Sequence, residues 1–136
     1  MTNQNFTGTP TSRRQIIPCP STIVAGQPVL IGAVPAVALD SYQANEGGTS
    51  FLFGGSFFLT VVGQSGSPLT GHKINPGDKL YADGGVLDTA TNVTTGFTLN
   101  ADATYGTFFG YLDPQQPAVG SGVTNTAASV LLPNGM

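Results

Sequence analysis

An all-β fold follows from three observations: short runs of β-branched and aromatic residues, turn-forming residues between the runs, and no sustained helical period. The 136-residue chain contains 19 Gly and 10 Pro, with eight Phe and four Tyr to supply a core. That length suits one ordinary domain plus a tail. Charged residues make up 8% of the chain and hydrophobic residues 40%, whereas an average globular chain is roughly 25% charged. The polar surface must therefore come from Thr, Ser, Asn and Gln, which is the surface of an assembly-prone protein. The expected architecture is a single compact β-barrel or β-sandwich with an extended N-terminal arm.

Residues 1–15 form the arm in this reading. They hold Thr, Asn, Gln, Ser, Gly and Pro around one large aromatic, Phe6, and the pair Arg13-Arg14. Too little apolar area is present to offset the entropy of ordering. Such a segment folds when it meets a partner, or it is simply a frayed terminus.

The β-domain spans residues 16–136. Strands are expected at residues 22–24, 29–31, 36–39, 49–53, 57–62, 79–81, 85–87, 107–112 and 129–132. The run Phe57-Phe58-Leu59-Thr60-Val61-Val62 is apolar almost throughout, as in a strand covered by a core on one face and by a subunit on the other. Residues 43–46 and 124–128 carry weak helical signals, opposed by neighbouring Gly and β-branched residues. Asn75-Pro76-Gly77-Asp78 places Pro and Gly at the central positions of a type II turn. Asp83-Gly84-Gly85 reads as a hairpin turn joining residues 79–81 to 86–87.

The sequence offers little to chemistry. His72 is the one histidine and Cys19 the one cysteine, and the seven carboxylates are scattered singly. An imidazole needs a positioned nucleophile or further ligands before it can act, and a lone cysteine has no intrachain disulfide partner. Gly54-Gly55 and Gly84-Gly85 lack the Gly-Lys-Ser/Thr ending of a phosphate loop and read as bends or bulges. Asn92-Val93-Thr94 matches a glycosylation acceptor, but no secretion signal accompanies it. The net charge of −3 with four basic residues argues against nucleic-acid binding, which depends on clustered Lys and Arg. No apolar stretch approaches the roughly 20 residues that span a bilayer. The expectation is a protein that is not an enzyme, with no cofactor, no metal site and no membrane partner. Among the aromatics, Phe57, Phe58, Phe108 and Tyr111 are the candidates for a subunit interface, because no basic residues accompany them to mark a base-stacking surface.

A resemblance adds to this reading. It is carried, in order, by Ala25-Gly26-Gln27-Pro28-Val29-Leu30-Ile31-Gly32, Pro35-Ala36-Val37-Ala38-Leu39, the run from Gly48 to Leu59, Asn75-Pro76-Gly77-Asp78-Lys79-Leu80-Tyr81 and the segment from Gly106 to Asp113, closing with Val130-Leu131-Leu132. This order is similar to that of the small phage capsid cement, or decoration, proteins, some of which once carried a recombinase-like label. The chain departs from them in an acid-poor middle strand, a longer insertion at residues 63–73 and a longer N-terminal segment.

The resemblance implies a β-tulip-like structural protein of the virion, made in the host cytoplasm. It would bind the outer surface of an assembled capsid as a homotrimer at threefold or quasi-threefold positions. Its partners would be the major capsid protein and itself, with Phe6, Arg13 and Arg14 as the arm's capsid contacts. A receptor- or carbohydrate-binding virion domain is the alternative.

Overall fold

A computed structural model describes residues 14–88, 92–93 and 97–133. All of its regular structure is β. In chain order the strands are β1 (Arg14–Pro18), β2 (Pro28–Ile31), β3 (Val34–Ala38), β4 (Gly48–Leu52), β5 (Gly55–Val62), β6 (Gln64–Ser65) and β7 (Thr70–Gly71). They continue as β8 (Lys79–Asp83), β9 (Val86–Asp88), β10 (Asn92–Val93), β11 (Thr98–Asn100), β12 (Thr107–Leu112) and β13 (Thr124–Leu132). Five of them close a barrel in the order β11-β5-β13-β12-β8, and six form a curled half-barrel sheet in the order β1-β4-β3-β2-β9-β10. The short β6–β7 hairpin lies within the 63–73 insertion.

Each layer has its own apolar interior. Leu59, Val61, Leu80, Leu99, Phe109, Leu112, Val130 and Leu132 fill the barrel, so it is packed with side chains. Ile23, Val29, Phe51, Phe53 and Leu87 fill the curl of the half-barrel together with Cys19. Leu30 and Val37 belong to the half-barrel strands β2 and β3 yet pack with the barrel cluster, and so join the two layers.

Two double glycines mark crossings between the layers. Gly54-Gly55 carries the chain from β4 into the barrel strand β5, and Gly84-Gly85 carries it from the barrel strand β8 back to β9. Gly55, Gly84 and Gly85 have φ of 101°, 84° and 72°, a region that Gly enters without a Cβ penalty. At Gly85 a Cβ would also run into the ring of Phe97.

These crossings correct the expected hairpin at Asp83-Gly84-Gly85. The positive φ values are present, but β8 and β9 do not pair. Val86 and Leu87 instead lie parallel to Leu30 and Ile31, where the Leu30 N–H donates to the Gly85 carbonyl at 2.8 Å. Local turn chemistry is the same for a hairpin and for a crossing, and the partner strand is chosen by packing.

Three further expectations change. Residues 22–24 are not a strand: Ile23 is buried as a plug in the half-barrel core while Val24 is exposed, and the segment runs through turns. Residues 124–128 belong to β13, because pairing with β5 from Thr124 to Leu132 overrides a weak helical preference. Arg14 and Gln15, assigned to the arm, begin β1, where they pair with Leu52 and Phe51. The rest of the arm, including Phe6 and Arg13, lies outside the described residues. The type II turn is present as expected, with Gly77 at φ 86° and the Asp78 N–H donating to the Asn75 carbonyl at 3.0 Å. The Asp78 carboxylate also accepts the Asn75 N–H at 2.8 Å.

Candidate assembly surface

β5 shows why the barrel's outer face stands out. Its burial alternates, with Leu59 and Val61 inside and Phe58 and Thr60 outside, so the continuous apolar run is buried by this chain on one face only. Phe58 is 75% exposed, more than any other large hydrophobic residue described. The sequence cannot show this directly, because a strand with apolar residues at almost every position has no polar partner face to read. Phe57 points the other way and packs against the barrel core, which removes it from the interface candidates.

Phe108 and Tyr111 reach the same outer face through a bulge. Three positions apart, they would lie on opposite faces of a regular strand. The register of β12 on β8 slips between Phe108 and Gly110, adding one residue. Phe108 then pairs with Tyr81 and Tyr111 with Lys79, both outward, while Phe109 turns into the core. The rings of Phe108 and Tyr111 meet edge to face at 5.3 Å, and those of Tyr81 and Phe108 at 6.1 Å. The Lys79 ammonium sits 5.9 Å from the Phe108 centroid, a cation–π contact. Tyr81 and Lys79 thus join a cluster whose sequence signal was only an aromatic in a short strand.

Phe58 and this cluster share one face. Phe58 lies opposite Ser129 on β13, and Tyr111 lies opposite Leu131, two residues along the same strand. Two strand spacings and one two-residue step place them about 12 Å apart. Between them runs a hydrogen-bonded seam: the Ser129 hydroxyl donates to the Asp113 carboxylate at 2.9 Å, and the Ser129 N–H donates to the Gln116 side-chain carbonyl at 2.9 Å.

On the other side of Phe58, between the barrel and the half-barrel, an open groove of about 660 Å³ is lined, among the described residues, by Phe58, Thr60, Val93, Phe97 and Thr126 with others, none of these described residues charged. A second bulge, in β13 between Asn125 and Ala128, lies at Thr126 on its rim.

The residues singled out for chemistry do not gather. His72 is exposed in the loop after β7, and among the described residues no group of three or more His, Cys, Asp or Glu side chains is placed to hold a metal ion. Asp102 is buried and its carboxylate caps its own turn, accepting the Thr104 N–H at 3.0 Å. Cys19 is 2% exposed. Burial raises its thiol pKa, opposed by a backbone hydrogen bond at Thr49, so little thiolate is present at neutral pH. An aromatic disulfide reagent at pH 8 should label the native chain at least tenfold more slowly than the urea-unfolded chain, and equal rates would contradict this placement.

No family model matches the chain, and neither a curated protein nor a solved structure matches it. The class defined by fold and surface is a small two-layer β-protein, barrel and half-barrel, that displays an aromatic face on the outside of the barrel.

Proposed function

We propose that this chain is a capsid decoration protein, which binds the outer surface of an assembled shell as a homotrimer and stabilises it. The observation that carries this reading is the outer barrel face with Phe58 three-quarters exposed beside the cluster of Tyr81, Phe108 and Tyr111. An exposed Phe beside half-buried aromatics on one face suits protein–protein contact, since fully burying an exposed Phe contributes about 1.5–3 kcal/mol. The order of motifs that resembles the cement proteins supports the same class. The mechanism is mass action: a protein that binds only the assembled lattice stabilises that lattice over its dissociated parts, and many copies multiply a modest contact. The segment that precedes β1, with Phe6 and Arg13, supplies further contacts by strand addition to the shell or to a neighbouring copy.

Purified virions carrying this chain provide the test. Cryo-electron microscopy should show trimeric knobs above the capsid lattice. In a reconstitution on stripped shells, Phe58→Ser combined with Tyr111→Ser should lower occupancy at least tenfold while costing the free protein only about 1 kcal/mol in urea unfolding. Density confined to fibre tips would favour the receptor-binding alternative, and full occupancy by the double variant would remove this face from the contact.

A further inference from the structure

We infer that the outer barrel face takes an arginine side chain of the shell, with its guanidinium on the Asp113 carboxylate beside the ring of Phe58. The inference rests on the decoration reading and names what the partner brings to that face. Phe58 lies opposite Ser129, and the Asp113 N–H donates to the Ser129 carbonyl at 3.0 Å, so the three stand in one row across β5, β13 and the residue after β12. Tyr111 lies two residues before Asp113 on the same face, with the buried Leu112 between them. By strand spacing, the Cα atoms of Phe58 and Tyr111 are about 10 Å and 7 Å from that of Asp113. A partner that covers both aromatics therefore covers the carboxylate that adjoins them. Taking a carboxylate out of water is costly unless a cation pairs with it.

Among the described residues, the Asp113 carboxylate accepts from neutral donors. The Ser129 hydroxyl donates to one oxygen and the Gln115 N–H to the other, each at 2.9 Å. Both oxygens are held in place, and each keeps a second lone pair for an incoming donor. Lys79, on the strand beside β12, sets its ammonium 5.9 Å from the Phe108 centroid, so this face already seats one cation on a ring. Phe58 and Asp113 offer the same attraction together with a counter-charge. A guanidinium suits them better than an ammonium. Its planar fork matches two fixed oxygens, its flat face stacks on a ring, and it is the more weakly hydrated cation. The net charge of −3 favours a basic partner at longer range.

Stripped shells from virions carrying this chain are the probe. Asp113→Asn removes the charge but keeps an oxygen for Ser129, and it should weaken binding about tenfold or more at about 50 mM salt. Raising the salt to about 500 mM should weaken the wild-type chain and leave D113N nearly unaffected. Shells treated with phenylglyoxal, which modifies arginine, and then washed should bind the untreated wild-type chain about tenfold or more weakly, whereas lysine-acetylated shells should bind it normally. The treatment should not weaken D113N further, because the arginine acts through Asp113. The two modification arms use wild-type protein and decide the matter if D113N fails to fold. Equal binding by D113N and wild type at both salts overturns the arginine contact, as does full binding by the phenylglyoxal-treated shells. Either result leaves the aromatic face standing, since the Phe58 and Tyr111 variant tests that separately. A wild-type chain that does not bind stripped shells overturns the decoration reading and this contact together.

Discussion

Phe109→Ala is expected to lower the free energy of unfolding by about 3–5 kcal/mol, the cost of truncating a large buried aromatic. Phe109 is fully buried inside the barrel and meets Phe97 edge to face at 5.5 Å. Its neighbours in that interior include Leu80, Leu99 and Leu112, which come from three different barrel strands and cannot all move inward to fill the space. For a domain with a total stability of about 5–15 kcal/mol, such a loss is about a fifth or more of the whole. Urea unfolding followed by tyrosine fluorescence measures it as a fall in midpoint at unchanged slope. Phe108→Ala is the internal control. One position away but on the outer face, it should cost about 1 kcal/mol or less, because its ring is half-buried and held by surface aromatics. Equal losses at the two positions would mean that the bulge is not where the register places it.

Gly110→Ala should cost about 3 kcal/mol or more. Gly110 does not need a left-handed backbone. It needs closeness, because a Cβ there would overlap the carbonyl of Leu131 on the paired strand. That neighbour is backbone and cannot rotate away, so the substitution sits at or above the upper end of overpacking costs. Relief requires β12 to separate from β13, at the point where Tyr111 pairs with Leu131. The change should therefore lower stability and also disperse the Phe108–Tyr111 pair, which near-ultraviolet circular dichroism of the tyrosines would report. A variant with wild-type stability and an unchanged spectrum would show that the two strands are not in this contact. Since a Cβ at Gly110 would meet the backbone of β13 while the spectrum reports the outer cluster, this one variant connects the packing of the barrel strands to the geometry of the proposed contact face.

The candidate surface was partly legible in the residues. Phe58, Phe108 and Tyr111 were among the interface candidates, and the structure brings them to one face. Phe57 was grouped with them because an unbroken apolar run gives no sign of which residues turn inward. Register decided it, since Phe57 lies opposite the buried Val130 and Phe58 opposite Ser129. Tyr81 and Lys79 were missed as members because their only link to Phe108 is a cross-strand pairing between segments almost 30 positions apart. Gly110 was the one available signal for the bulge, as glycine inside a strand pattern often marks one.

The residues by themselves determined the all-β class, the type II turn at Asn75–Asp78, and most strands of the body, including those around residues 29–31, 49–53, 57–62 and 107–112. These follow from side-chain branching and backbone φ preferences, which act within a few residues of each position. What only the tertiary structure decided was pairing. The strands separate into a closed barrel and an open half-barrel, the two double glycines became crossings between them, and the segment at 124–132 became the strand that pairs β5 with β12. Local preferences are the same for a Gly-Gly turn that closes a hairpin and for one that changes sheets. The choice between them is made by which apolar faces can be buried together, and that is a property of the whole chain.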